Sequence, residues 1–247
     1  MSGHNKWSSI KHTKAKNDAA NSKIFTKIGR EIAVAVKLGG ADPNSNPRLK
    51  NLITKAKSAN MPGENITRVI KKASGELGAV NYEAITYEGY GPAGSAVIVY
   101  CLTDNKNRTA SDVRHYFDKF GGSLGSTGCV SYMFNRKGVI IIAKGNGISD
   151  DDMMMYALEA GAEDVEIGDD YFTIYTDSDA LDSVKEYFDN NKITVENADV
   201  EMIPNSYVTI PEDKLGSFGK LIDALEDNDD VQEVYHNVDN YDDECED

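Results

Sequence analysis

The sequence predicts a multidomain α+β protein, with an N-terminal helical domain followed by two ferredoxin-like α+β domains, one inserted in the other. Three observations predict this class. Apolar residues recur at helical spacing over residues 21–75, and the pattern changes to short strands after Gly78. Residues 136–204 then order their elements as β-α-β-β-α-β, which is the ferredoxin-like order.

The chain begins with a basic arm and a cationic helix. Residues 1–20 hold too few apolar side chains to build a core, so they are predicted to be flexible. In the helix that follows, Gly39 and Gly40 mark the end. Its apolar face consists of Ile24, Phe25, Ile28, Ile32 and Ala35. Cations recur every seventh residue and form a stripe on another face: Lys16, Lys23, Arg30 and Lys37.

Two further helices complete a helical domain over residues 21–78. Asn46 is predicted to cap the second helix, Pro62 opens the third and Gly75 ends it. The apolar stripes are Leu49, Leu52, Ile53 and Ala56 in one helix, and Ile66, Val69, Ile70 and Ala73 in the other. The cations are predicted to stay outside: Arg48, Lys50, Lys55, Lys57, Arg68, Lys71 and Lys72.

Charge is divided steeply along the chain. Residues 1–75 carry fifteen Lys and Arg against four Asp and Glu, a net charge of +11, and the remainder carries −26. Such asymmetry indicates a polyanion partner for the basic part. Spaced cations bind phosphates and release condensed counterions, which favours nucleic acid over the alternative of a merely solvated face.

The first α+β domain is predicted to be discontinuous, over residues 79–135 and 205–240. Its glycine-rich segment Gly89–Gly94 matches G-x-G-x-x-G, but a strand follows it rather than a helix, so it is predicted to be a hairpin turn. The predicted strands are Tyr82–Glu88, Ser95–Thr103, Val130–Phe134, Ser206–Ile210 and Val231–Asn237. One helix includes Val113 and Phe117, and a second spans Pro211–Leu225.

The inserted domain is predicted over residues 136–204, after a break at residues 135–138. Its predicted elements are Val139–Ala143, Ser149–Ala160, Asp164–Ile167, Tyr171–Thr176, Asp179–Asn190 and Val195–Ile203. Three acids, Asp150 to Asp152, lie in a first helical turn, where they suit the helix dipole. Residues 241–247 form an acidic tail.

The residues give little sign of catalysis. Four histidines lack a serine or cysteine partner in a recognisable motif, and neither H-E-x-x-H nor C-x-x-C occurs. Three cysteines without metal spacing favour a reducing cytoplasm, and no apolar run approaches the ~20 residues of a membrane span. The sequence therefore predicts a cytoplasmic non-enzyme without metal, cofactor or membrane partner, and an acidic enzyme is kept as an alternative.

Several long motifs resemble those of the YebC family, and together they extend over nearly the whole chain. They are G-H-N-K-W-S-S-I-K-H (3–12), K-I-F-T-K-I-G-R-E-I (23–32), Y-E-G-Y-G-P (87–92), L-T-D-N-K-N-R-T (102–109), V-R-H-Y-F-D-K-F-G-G (113–122) and D-D-V-Q-E-V-Y-H-N (229–237). The resemblance implies three domains and a non-enzymatic role in gene expression. Some members are described as DNA-binding transcriptional regulators and others as ribosome-associated translation factors. The chain departs from the family's usual arm at Ala20-Asn21-Ser22, where a Lys-Arg pair is common.

The predicted function is that of a non-enzymatic nucleic-acid-binding regulator of gene expression, namely a translation factor that associates with the ribosome or RNA and acts as a monomer. Lysines dominate its basic helix, whereas Arg, Asn and Gln read base edges in duplex DNA, which favours RNA. A DNA-binding transcriptional regulator is the alternative. Trp7 is predicted to stack on a base or sugar. The predicted contacts are Lys6, Trp7, Lys11, His12, Lys14, Lys16, Lys23, Lys27 and Arg30.

Overall fold

A computed structural model describes residues 18–75, 81–145 and 147–241. These residues divide into two compact units. The larger unit comprises residues 18–131 and 209–238, and the inserted unit comprises residues 132–208 and 239–241. The predicted arm up to residue 17 and the acidic tail beyond Tyr241 lie outside the described residues.

The helices and strands are named here in chain order. They are α1 (Asp18–Gly39), α2 (Pro47–Ser58), α3 (Gly63–Ala73), β1 (Glu83–Tyr90), β2 (Ala96–Thr103), α4 (Lys106–Lys119), β3 (Ser123–Leu124), β4 (Phe134–Ala143), α5 (Asp150–Ala160), β5 (Asp164–Ile167), β6 (Tyr171–Asp177), α6 (Leu181–Asn190), β7 (Asn197–Pro204), α7 (Glu212–Glu226) and β8 (Val231–His236).

The three N-terminal helices pack around one apolar core, as their spacing predicts. α1 begins at Asp18, inside the stretch that was predicted to be an arm. The buried residues of the shared core are Ile28, Ile32, Ala35 and Val36 from α1, Leu49, Leu52 and Ala56 from α2, Met61, and Ile66 from α3. Ile24, Phe25, Ile53, Val69, Ile70 and Ala73 pack against this core in partly buried positions. The predicted apolar faces of all three helices are therefore confirmed.

Asn46 joins the end of α1 to the start of α2. Its side-chain oxygen accepts a hydrogen bond from the Leu49 backbone N–H at 3.0 Å, which confirms the predicted cap. Its amide nitrogen donates to the carbonyl oxygens of Ala35, at 2.9 Å, and Gly40, at 2.8 Å. A Cβ on Gly39 would lie 2.7 Å from that nitrogen, so glycine is required where the two helices meet.

The sheet of the larger unit has the strand order β3-β1-β2-β8, and its paired strands are antiparallel. β1 and β2 form the predicted hairpin, because Tyr90 pairs with Ala96 across the glycine-rich segment. Gly89 lies where β3 approaches closely: a Cβ there would meet the Ser123 carbonyl oxygen and the Phe117 ring, each at 2.7 Å. The glycine pattern thus serves strand packing.

The predicted strand Val130–Phe134 is wrong, and the buried carboxylate of Glu88 explains why. Glu88 accepts hydrogen bonds from the backbone N–H groups of Gly128 at 2.8 Å, Val130 at 3.0 Å and Ser131 at 2.8 Å. Those three N–H groups therefore cannot donate to the backbone of a neighbouring strand. Residues Ser131–Met133 form a 3₁₀ turn instead, and the short β3 provides the third strand.

Replacing Glu88 with glutamine should lower the free energy of unfolding by about 1–3 kcal/mol. The carboxamide keeps one acceptor oxygen, so at least one of the three N–H groups loses its partner, at a cost of about 1–3 kcal/mol for each such group. Urea unfolding followed by circular dichroism measures the change. Glu83→Gln, at the exposed start of the same strand, is the control and should change the free energy by less than about 0.5 kcal/mol.

The inserted unit has the strand order β5-β6-β4-β7, with antiparallel pairing throughout. Its core includes Ile140 and Ile142 of β4, Phe172 and Ile174 of β6, and Phe188 of α6. The predicted break at residues 135–138 is wrong. β4 runs through it, because Asn135, Arg136 and Lys137 pair with Ile203, Met202 and Glu201 of β7.

The predicted strand Ser206–Ile210 is also wrong, since only Val208 forms an isolated bridge and accepts a hydrogen bond from the Asp239 N–H at 3.1 Å. Each sheet nevertheless has four antiparallel strands and two associated helices, and the helical region precedes both. The predicted α+β fold class is therefore confirmed. The larger sheet differs from the inserted one in placing a hairpin at its centre. No helix among the described residues is long and apolar enough to cross a membrane.

Candidate nucleic-acid interface

The cationic stripe of α1 faces the sheet part of its own unit. The Lys23 ammonium lies 2.6 Å from the Asp227 carboxylate, and Lys27 donates to the Glu226 carbonyl oxygen at 2.9 Å. Further along the helix, the Arg30 guanidinium pairs with Asp230 and lies 5.4 Å from the centre of the Tyr82 ring. Lys37 donates to the Asn81 side chain at 2.9 Å. The seven-residue spacing therefore aligns Lys23, Arg30 and Lys37 along one intramolecular contact, which Lys27 joins from between them.

Asp230 is the centre of this contact, and it lies immediately before β8 with 3% of its surface exposed. Besides Arg30, it accepts hydrogen bonds from Arg108 Nη2 at 2.8 Å, Thr109 Oγ1 at 2.7 Å and Thr103 Oγ1 at 3.2 Å. Burial alone would raise the pKa of Asp230. The hydrogen bonds from Arg108, Thr109 and Arg30 outweigh burial and hold this pKa below its ordinary value.

Lys27 shows the opposite balance. Burial lowers the pKa of its ammonium, and the nearby carboxylates of Glu226, Glu233, Asp227 and Asp229 only partly offset that effect. A lysine enclosed in this way has already lost much of its hydration to the protein. In the free protein, the Lys27 ammonium therefore interacts with carboxylates of its own chain.

Both interpretations of the stripe, phosphate contact and solvated face, expect it to lie on an outward surface. That expectation is wrong for Lys27 and Arg30, which are half-buried against the sheet part. Phosphate binding by Lys23, Lys27 and Arg30 stays a prediction, and it would require these contacts to open. The other predicted contacts lie outside the described residues: Lys6, Trp7, Lys11, His12, Lys14 and Lys16.

A different set of cations lies exposed on α2 and α3. Lys50 and Lys57 are two turns apart on α2, while Arg68 and Lys72 are one turn apart on α3. The exposed members are Arg48, Lys50, Lys57, Arg68, Lys71 and Lys72, which agrees with the prediction that they stay outside. Lys55 departs from it, because it is half-buried and lies 3.8 Å from the Glu31 carboxylate. Apart from Lys37 of α1, the exposed cations of the three N-terminal helices thus lie on α2 and α3.

Sequence reasoning missed the acidic counterpart of the stripe. A short acidic run from the end of α7 to the start of β8 comprises Glu226, Asp227, Asp229 and Asp230. Asp229-Asp230 is typical of a turn when considered alone. The contact could have been predicted from charge complementarity, because this run is acidic and α1 of the same chain is cationic. Arg108, an exposed residue of α4, pairs with Asp104 at 2.9 Å as well as with Asp230.

The chemistry of the described residues offers no reactive centre around this network. A cleft of about 480 Å³ is lined by Arg30, Arg108, Asn228 and acidic side chains that include Asp104 and Asp112. Within residues 18–75, 81–145 and 147–241, no group of three His, Cys, Asp or Glu side chains is arranged to hold a metal. Burial raises the pKa of the Cys101 thiol to about 12, so this cysteine stays protonated.

Comparison with known proteins identifies the family. Residues 5–76 match the TACO1/YebC N-terminal domain, and residues 82–238 match the TACO1/YebC second and third domain. A "probable transcriptional regulatory protein" of Acetivibrio thermocellus is 56% identical over 238 residues, which cover 96% of this chain and 98% of that protein. One of the same description from Clostridium botulinum is 55% identical, over 96% of this chain and 97% of the relative.

Solved structures include a similar protein as well. The crystal structure of a conserved hypothetical protein from Aquifex aeolicus is 47% identical, with a TM-score of 0.82 over 91% of this chain and 93% of that one. The family matches cover most of this chain, and the relatives match it over nearly their full length. The chain therefore belongs to the TACO1/YebC family.

Proposed function

We propose that this protein is a non-enzymatic, nucleic-acid-binding regulator of gene expression that acts on RNA at the ribosome. The observation that carries the proposal is the exposed cationic surface of α2 and α3 inside a region of net charge +11. The relatives are named as regulatory proteins, which supports a regulatory role. Phosphate binding by Lys and Arg side chains supplies most sequence-independent affinity for nucleic acids.

The residue types of this surface favour RNA. Four of its six members are lysines, which contact phosphates as point charges, and the two arginines lie on different helices. Asparagine is one of the residues that read base edges in duplex DNA. Asn65 of α3, however, is half-buried, and its side-chain oxygen already accepts a hydrogen bond from Arg68 at 3.0 Å. The arm adds Trp7 and His12, and aromatic side chains suit unstacked bases of folded RNA.

A DNA-binding transcriptional regulator is the second candidate. Two observations favour it: the names of the relatives, and the four-residue connection, 59–62, between α2 and α3. Helix-turn-helix proteins join two helices by a comparably short turn and place the second in the major groove. In that arrangement α3 would present Thr67, Arg68 and Lys71 to the duplex.

Replacing Lys57, Lys71 and Lys72 together with alanine should flatten the dependence of log affinity on log salt concentration. Each lost phosphate contact reduces the slope by about 0.7 on single strands or 0.9 on duplex DNA, so the triple variant should lose roughly two to three units. Ribosome cosedimentation and duplex DNA binding, each measured over a salt series, provide the slopes.

The matched control removes the same charge from exposed lysines of the same unit, Lys119, Lys214 and Lys220, and should leave the slope unchanged. If both triple variants have the wild-type slope on ribosomes and on duplex DNA, α2 and α3 do not form the interface. A larger change on duplex DNA than on ribosomes would favour the transcriptional candidate.

A further inference from the structure

The inserted unit carries a concentrated apolar surface on α5 and β5. Among the described residues, eight large hydrophobic side chains are exposed, and four of them lie within residues 154–167. Met154 is 52% exposed, Met155 62%, Leu158 77% and Ile167 39%. Because exposed apolar residues normally occur singly, such a concentration marks an interaction site.

These side chains border a groove. Met154 and Leu158 are one turn apart on α5, so they form a ridge, while Met153 and Ala157 of the same helix are buried in the core. The groove beside this ridge has a volume of about 520 Å³ and extends to Ala162 and Val165. Val165 and Ile167 lie on the same face of β5, which continues the apolar surface along the strand.

The rim of the groove is acidic. Asp151, Glu163 and Asp164 line it, and Glu159 lies on the next position of α5 after Leu158. Residues 136–204 as a whole carry seventeen Asp and Glu against five Lys and Arg, a net charge of −12. An anionic membrane or a nucleic acid would be repelled by this surface, whereas a cationic protein segment would be attracted.

We propose that the α5–β5 groove binds a basic amphipathic helix of a partner protein. The partner's apolar ridge would pack against Met154, Met155 and Leu158, and its lysines and arginines would lie against the acidic rim. Methionine suits this role because its unbranched, polarizable side chain adapts to differently shaped apolar partners. The same combination of apolar groove and amphipathic helix is a general mode of peptide recognition.

A synthetic peptide tests the proposal on the full-length protein. The probe is a helical peptide with leucine at positions i, i+3, i+4 and i+7 and lysine at most others, and its affinity is measured by fluorescence anisotropy. Replacing Met155 and Leu158 together with lysine should weaken binding by about tenfold or more. Leu38→Lys is the matched control, since Leu38 is 75% exposed on α1, and it should leave binding unchanged.

Methyl spectra of methionine locate the peptide directly. The chain has seven methionines, and on peptide addition the signals of Met154 and Met155 should shift while those of Met61, Met133 and Met202 should not. The proposal is overturned if the shifts fall on the latter three, or if Leu38→Lys weakens binding equally. Equal binding of an analogue with glutamate in place of lysine also overturns it. A further result would overturn the proposal: light scattering shows a wild-type dimer, and Leu158→Lys dissociates it. The groove would then join two copies of this chain.

Discussion

Replacing Asp230 with alanine should lower the free energy of unfolding of the larger unit by about 3–5 kcal/mol. Removing one partner from a buried ion pair leaves the remaining charge without compensation, which is the costly way to break such a pair. Here Arg30, whose side chain is 12% exposed, would lose its carboxylate, and Thr103 and Thr109 would lose a common acceptor. Urea unfolding followed by circular dichroism measures the change, and hydrogen exchange of α1 peptides locates it.

The neighbouring acid provides the control. Asp229 is exposed, so Asp229→Ala should change the free energy of unfolding by less than about 0.5 kcal/mol. A double-mutant cycle between Arg30 and Asp230 should give a coupling energy of about 0.5–3 kcal/mol. Equal unfolding curves for Asp230→Ala and Asp229→Ala would show that the buried network does not hold α1 against the sheet.

The loss of folding stability at low pH should also depend on Asp230. The pKa of Asp230 is lower in the folded protein than in the unfolded chain, so its contribution is complete at neutral pH. As pH falls below about 4, the unfolded chain takes up a proton before the folded state does, and this contribution is lost. Asp230→Asn should therefore be less stable at pH 7 but lose less stability on acidification than the wild type does.

The basic arm should account for a large part of nucleic-acid affinity. Replacing Lys11, Lys14 and Lys16 together with alanine removes three charges, so the salt slope on RNA should flatten by about two to three units. Trp7→Ala should cost about 1–3 kcal/mol of affinity if the indole stacks on a base, and it should leave the slope nearly unchanged. Filter binding of ribosomal RNA over a salt series measures both effects.

A double variant tests whether the α1 cations contact nucleic acid in the same way. Lys23→Ala combined with Lys27→Ala should reduce stability, since both lysines contact the α7–β8 segment, and its salt slope tests whether they also contact phosphates. A slope that flattens by one or two units in this variant would mean that α1 opens from the sheet when nucleic acid binds. An unchanged slope in the arm variant would remove the arm from the interface.

Local patterns in the sequence determined most of the secondary structure. The helical period placed the core faces of α1, α2 and α3, and Asn46 and Gly39 marked the boundary between two of them. The element order of residues 136–204 gave the inserted sheet its topology. These features depend on residues a few positions apart, so they can be predicted without knowing the tertiary structure. The charge asymmetry between the two parts of the chain was equally visible.

Only the tertiary structure decided where the charges go. Arg30 and Asp230 are 200 residues apart in the chain, so no local sequence pattern predicts that they form a buried ion pair. Glu88 likewise removes three backbone donors from a segment more than thirty-five residues away, so a sequence that favours a strand becomes a turn. A side chain's spacing fixes its face on a helix or strand, whereas its partner depends on which distant surfaces the fold brings together. The stripe on α1 was therefore visible in the sequence, but its intramolecular partner was not.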